Sequence, residues 1–152
     1  MIARLRQLVQ RDRYVLRMLN VSDIRKMLQE IERSDLNRNI ALLLKKLTGI
    51  GPPHVSEDQS ARIGNLFAKA IEAGERVQRH GRVNRTYYPF FIYKIIQSEN
   101  DPALMRLLYY IYVQGQDTIE ADDLHWEQIC KQVPELTYYP TIRGEAQKYA
   151  PI

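Results

Sequence analysis

Apolar residues recur every three to four positions along almost the whole chain, and this period predicts an all-α fold. Ile2, Leu5, Val9, Leu16 and Leu19 fall on one side of a first helix, with Asp12 interrupting the stripe. Asn20-Val21-Ser22 is a break, and Ser22 is a candidate N-cap for a short helix through Ile24, Met27, Leu28 and Ile31. Ser34 or Asp35 starts the next, whose face carries Ile40, Leu43, Leu44 and Leu47. The run from Gly49 to His54, GIGPPH, then stops helix formation, because two Gly free the backbone and two Pro stiffen it. Ser56 with Gln59 has the spacing of a capping box, followed by a helix presenting Ile63, Leu66, Phe67, Ala70 and Ile71. Gly74 near its end and Gly81 beyond it leave a basic loop. Tyr88 precedes Pro89, which places the next helix start at Pro89, with Phe90, Phe91, Tyr93, Ile95 and Ile96 following.

Asp101-Pro102 is a strong start signal, an N-cap followed by Pro at the first helical position. The segment it opens, ALMRLLYYIYV, is apolar on most sides and predicts the central buried helix. Asp117 with Glu120 repeats the capping-box spacing ahead of a last helix with Ile119, Trp126, Ile129, Cys130 and Val133. After Pro134 comes a Tyr- and Pro-containing tail, LTYYPTIRGEAQKYAPI, expected to lie as an extended arm on the body. Period-2 alternation is scarce, so little or no sheet is expected. The expectation is one domain over residues 1–152: a compact bundle of about six to seven helices, its core at about 20–133, with 134–152 as a C-terminal arm.

Composition narrows the class. The chain has 152 residues, 45% apolar and 26% charged, enough to build a core and unlike a disordered chain. No apolar run reaches the length of a membrane span, so no membrane partner is expected. The N-terminus scatters Arg among its apolar residues, unlike a secretory signal, and the lone Cys130 excludes an internal disulfide. Both point to an intracellular protein. The net charge of +4 is uneven: residues 1–94 hold 18 Lys and Arg against 9 Asp and Glu, whereas residues 95–152 hold 4 against 9. That split fits a polyanionic partner for the first part, or attraction between the two parts within the fold.

Catalytic chemistry has little to stand on. His54, His80 and His125 are scattered, and no nucleophile–base spacing is present. Asp122 and His125 lie three apart on one helix, the spacing of a surface ion pair. GIGPPH lacks the Lys-Ser/Thr ending of a phosphate loop, and no Cys or His cluster offers a metal site. Neither an enzyme nor a cofactor is expected. Trp126 and Cys130 share a helix face and should be core. Arg76, Arg79, His80, Arg82 and Arg85 fall close together, with Tyr87 and Tyr88 next. Guanidinium groups suit phosphate contacts and tyrosines can stack on bases, but a solvated loop with inward-packed tyrosines has the same composition. Arg4, Arg6, Arg11, Arg13 and Arg17 wrap around the first helix without forming one stripe.

Three blocks occur in order: LTGIGPPHVSED, NRTYYPFFIYKII and LLYYIYVQGQDTIEADDLHWEQICKQ. Together they resemble the poxvirus late transcription factor three-like family of large nucleocytoplasmic DNA viruses. The resemblance rests on Gly51, Pro52 and Pro53, on Asn84, Arg85, Tyr88, Phe91, Ile92, Tyr93 and Lys94, and on Trp126, Ile129 and Cys130. It spans about residues 23–133. It implies a non-enzymatic factor that helps the viral RNA polymerase transcribe late genes, in cytoplasmic factories or in the virion. Longer members place a cysteine-containing zinc-binding region ahead of this part. This chain starts at Met1 without it and has one cysteine, so no zinc is carried over. The implied contacts to DNA, to the polymerase or to other viral transcription factors are Arg76, Arg79, Arg82, Arg85 and Lys94, with Tyr87 and Tyr88 as stacking groups. The alternative is a virion structural or assembly adaptor that uses its aromatic segment and Tyr/Pro tail against other virion proteins.

Overall fold

The computed structural model describes residues 1–77, 88–111, 116–142 and 144–150, and the fold they build is all-α. Its helices are α1 Ile2–Arg11, α2 Val21–Glu30, α3 Ile40–Thr48, α4 Glu57–Arg76, α5 Tyr88–Glu99, the short α6 Pro102–Met105, and α7 Gln116–Gln132. No strand occurs among the described residues. The helices gather into two compact units, Met1–Pro53 and His54–Pro151. The Gly-Ile-Gly-Pro-Pro run ends the first unit.

In the first unit, α1 is shorter than its apolar stripe predicts. The chain leaves the helix at Asp12, and Arg13 takes a left-handed φ of 58°. Leu16–Met18 then form a separate 3-10 turn. Asp12 is held outward by Arg11, which also reaches Glu30 on α2 at 2.6 Å. The cap of α2 is Asn20 in place of Ser22. Its side chain accepts from the Asp23 amide at 2.8 Å, and the Asp23 carboxylate accepts from the Asn20 amide at 3.1 Å. Asn and Ser cap equally well, and the reciprocal Asp decides between them. Ser34–Asn39 is a 3-10 lead into α3, which Gly49 closes in the left-handed conformation that glycine adopts without strain. Leu5, Leu8, Val21, Ile24, Leu28, Ile40 and Leu44 are among the buried residues of this unit.

The second unit packs α4, α5 and α7 around one cluster: Leu66, Ala70, Ala73, Phe90, Phe91, Ile95, Trp126, Ile129, Val133 and Leu136. Burial of each large member contributes about 1.5–3 kcal/mol before the entropy of ordering it is subtracted. The Ser56–Gln59 capping box forms as predicted and starts α4. A second cluster, Tyr93, Ile96, Leu104 and Leu108, lies on the other side of α5. The central buried helix is therefore α5, not the ALMRLLYYIYV segment. That segment starts at the Asp101 cap as predicted, but α-helix ends at Met105 and gives way to a 3-10 turn, Arg106–Tyr110. Adjacent tyrosines and a β-branched Ile are weak helix formers. Tyr109 and Tyr110 pack edge to face at 5.0 Å. The Asp117–Glu120 capping box lies outside the described side chains.

Gly74 sets the spacing of α4 and α7. A Cβ there would stand 3.4 Å from Ile129 Cδ1, 3.6 Å from His125 Cε1 and 3.7 Å from Phe91 Cζ. Alanine fits that gap and a branched side chain does not. Gly74→Ala should leave stability within about 1 kcal/mol, and Gly74→Leu should lower it by about 1–3 kcal/mol. Urea unfolding followed by Trp126 fluorescence measures both.

Candidate functional site

The predicted contact surface divides on inspection. Arg79, Arg82, Arg85 and Tyr87 lie outside the described residues. Arg76 and Tyr88 flank them. Arg76 ends α4 with its guanidinium half-exposed, donating to Gln132 at 3.2 Å and to Glu72 at 3.1 Å. Tyr88 opens α5, 53% exposed, with its ring edge-on to Phe67 at 5.5 Å. It therefore presents a polar tip on an anchored ring, as a stacking or anchoring group requires.

His125 holds the end of α4 that leads into this segment. Its Nε2 lies 3.0 Å from the Val77 carbonyl and 3.3 Å from that of Gly74. Carbonyls only accept, so Nε2 carries the proton and donates. It satisfies carbonyls that the helix end leaves without partners. The sequence places His125 in an i, i+3 pair with Asp122. The contact to α4, 48 and 51 residues away in sequence, leaves no local signal.

Lys94 is the correction. The sequence predicts it on the contact surface, yet it is 1% exposed. It lies on α5 between the two apolar clusters, so its stem runs through the interior and its ammonium must find partners there. Nζ donates to Gln97 Oε1 at 2.6 Å and to the Tyr139 carbonyl, with Asp123 Oδ1 at 3.9 Å. The Tyr138 ring lies 6.0 Å from Nζ. Asp123 in turn accepts from the Tyr138 hydroxyl, from the Thr141 amide at 3.0 Å and from the Thr141 hydroxyl at 2.6 Å. Glu145 accepts from the Tyr93 hydroxyl at 2.7 Å and from Gln97 Nε2 at 2.9 Å. These bonds tie the C-terminal arm to α5 and α7. A buried ammonium without them would cost several kcal/mol. The signal for this role was present: a lysine in the apolar run FFIYKII has no solvated face to point to.

Titration follows from the burial. Desolvation pushes Lys94 below the usual lysine range, while Asp123 and Glu145 partly restore it. The same desolvation, reinforced by the bond to Glu145, raises Tyr93. Desolvation raises Tyr138 too, with its bond to Asp123 adding to it. Cys130 is pushed up to about 12 by burial, so it is a packed thiol and not a nucleophile at neutral pH. Trp126 is fully buried, as predicted.

The cations of α4 are engaged in the same fold. Arg62 pairs with Glu99 at 2.5 Å, Lys69 with Glu135, and Arg76 with Glu72. Attraction between the basic and acidic parts of the sequence is thus realised inside the second unit. Among the described residues, no group of three or more His, Cys, Asp or Glu could hold a metal ion, and no helix is long and apolar enough to cross a membrane.

Two outcomes follow. Lys94→Met should destabilise the protein by about 3 kcal/mol or more, because Asp123 loses its buried counter-charge. It should also speed amide exchange at Tyr138–Thr141, read by hydrogen exchange. Cys130 has a folded pKa of about 12 against an ordinary value of 9.0. A group raised on folding contributes stability below its unfolded pKa and loses it as pH rises through the folded one. Wild type should therefore lose stability relative to Cys130→Ala between pH 9 and about 12, as paired denaturant melts measure.

Comparison with known proteins places the chain. Residues 1–138 match the family described as Poxvirus Late Transcription Factor VLTF3 like. The zinc finger protein B385R of African swine fever virus, in isolates from Kenya, South Africa and Namibia, is 44% identical over 145 residues. The match covers 93% of this chain and 38% of each relative, so the chain spans well under half of their length. No solved structure matches. The zinc-finger description belongs to those longer relatives, and among the described residues of this chain no group of three or more His, Cys, Asp or Glu could hold a metal ion. Family and relatives are named as transcription-factor or zinc finger proteins and not as enzymes. With a match over residues 1–138 and the ordered aromatic and Trp-x-x-Ile-Cys blocks built into one helical core, the chain belongs to the poxvirus late transcription factor VLTF3-like family.

Proposed function

We propose that this chain is a non-enzymatic factor in viral late-gene transcription, docking on the viral RNA polymerase, on template DNA, or on both. Membership of the VLTF3-like family over residues 1–138 carries this reading. The second unit supplies a rigid body, and the segment between Arg76 and Tyr88 supplies the contact. Arg79, Arg82 and Arg85 pair with phosphate or carboxylate groups, and Tyr87 and Tyr88 anchor against the partner. The half-exposed Tyr88 supports its part in this assignment. Lys94 has no part in it, because its ammonium is enclosed. The factor acts in the cytoplasmic viral factory or is carried in the virion.

Depletion of the protein during infection should lower late transcripts about tenfold or more while early transcripts persist, measured by strand-specific RNA quantification. Wild type restores late transcription, and the Arg79→Glu, Arg82→Glu, Arg85→Glu triple variant does not. Normal late transcripts with defective particles would contradict the proposal and favour the virion adaptor.

A further inference from the structure

The first unit, residues 1–53, contains 11 Lys and Arg against 5 Asp and Glu. The structure removes most of those acids from play. Asp12 and Glu30 are both held by Arg11, Asp35 is held by Arg33, and Asp23 closes the cap of α2. Glu32 alone is exposed without a cationic partner among the described residues. The cations fare differently. Arg4, Arg6, Arg13, Lys26, Lys45 and Lys46 are all exposed, and none has an ion-pair partner among the described residues. In the second unit, which is nearly twice as long, Arg62, Lys69, Arg76 and Lys94 are engaged internally, and only Arg106, Lys131 and Lys148 are exposed without an ion-pair partner among the described residues. The unpaired positive charge of the described residues is thus concentrated in the first unit, outside the basic 76–85 segment that the composition points to.

The placement is specific to the local structure. Arg13 is thrown outward by the left-handed turn that ends α1. Lys26 lies opposite the buried face of α2, where Val21, Ile24, Met27 and Leu28 pack inward. Lys45 and Lys46 are in the last turn of α3, and the stem of Lys45 rests on Gly51, where an added Cβ would stand 3.1 Å from its Cδ. Gly51 in the Gly-Pro-Pro turn therefore leaves room for that lysine.

We infer that the first unit is a nucleic-acid-binding surface, taking the phosphate backbone of duplex DNA through Arg4, Arg6, Arg13, Lys26, Lys45 and Lys46. Cations spread over three helices, with Arg4 and Arg6 on opposite flanks of α1, suit a long polyanion of regular charge. They suit it better than a short acidic peptide, which needs its counter-charges gathered along one groove. Binding of this kind is sequence-independent and driven by counterion release. The inference rests on the DNA arm of the proposed function and assigns it to a different unit from the 76–88 segment.

The test uses the full chain and a 20-base-pair duplex, with poly-L-glutamate as a second probe. Binding is followed by fluorescence anisotropy from about 50 to 200 mM salt. Wild type should lose about 1,000-fold in affinity across that range if six phosphates are engaged. The Arg4→Gln, Arg6→Gln, Lys45→Gln, Lys46→Gln variant should reduce the log–log salt slope by about four and weaken binding more than tenfold. An Arg106→Gln, Lys131→Gln control in the second unit should change the slope little. All four sites are exposed, and thermal melts confirm that the variants fold. Wild-type binding that the four substitutions leave intact overturns this inference alone, and leaves DNA contact to the 76–88 segment. Absence of salt-dependent duplex binding by wild type overturns the DNA arm itself. Binding to poly-L-glutamate but not to duplex, lost in the variant, overturns the nucleic-acid assignment in favour of an acidic protein partner.

Discussion

The second unit depends on the burial of one ammonium group. Lys94 lies inside α5, the helix that separates the two apolar clusters, and it is the charged residue most fully enclosed in the described fold. Its desolvation is offset only because the chain folds back to meet it. The Tyr139 carbonyl and Gln97 take its protons, and Asp123 supplies the counter-charge. Asp123 then has capacity left for Tyr138 and Thr141, and Glu145 joins Tyr93 to Gln97. The C-terminal arm is thus part of the unit's interior chemistry and not an appendage. A methionine in place of Lys94 could fill the same volume, but Gln97 Oε1 and the Tyr139 carbonyl would lose that donor and Asp123 its counter-charge. Buried polar groups of this kind specify one arrangement of the chain and leave little tolerance for others.

That burial also shapes the electrostatic surface. The acidic C-terminal part of the sequence provides Glu99, Glu135, Asp123 and Glu145, and these meet Arg62, Lys69, Lys94 and Tyr93. Arg62, Lys69, Arg76 and Lys94 of the second unit are thus spent on holding it together. In the first unit, Arg4, Arg6, Arg13, Lys26, Lys45 and Lys46 face solvent without an ion-pair partner among the described residues. An overall net charge of +4 conceals this division. Electrostatic attraction for a polyanion is set by where unpaired charge lies, and not by the sum over the chain.

Much of this fold is legible in the sequence, because local signals agree with the final contacts. The Ser56–Gln59 box, the Asp101-Pro102 start, the Gly49 stop and the Trp126–Ile129–Val133 stripe all fall where the pattern puts them. The failures share a cause. ALMRLLYYIYV has enough apolar residues for a buried helix, but which segment becomes central depends on long-range packing, and α5 takes that place. The first helix ends at Asp12, where the stripe is already interrupted, and Arg13 takes a left-handed φ that apolar periodicity does not record. For the site, the composition of the basic segment draws attention, whereas pairing decides availability. Lys94 stands next to that segment in sequence and is enclosed, while Lys45 and Lys46 look like ordinary helix-end charges and are free. No residue count distinguishes these cases.

Lysine footprinting tests the account most directly. The native protein is treated briefly with an acylating reagent, with and without duplex DNA, and modification at each lysine is read by mass spectrometry. The account predicts that Lys94 stays unmodified in both states, and that Lys26, Lys45 and Lys46 react in the free protein and are protected by the duplex. Lys131 and Lys148 should react equally in both. Acylation of Lys94 at the rate of Lys45, or protection confined to lysines of the second unit, would contradict it.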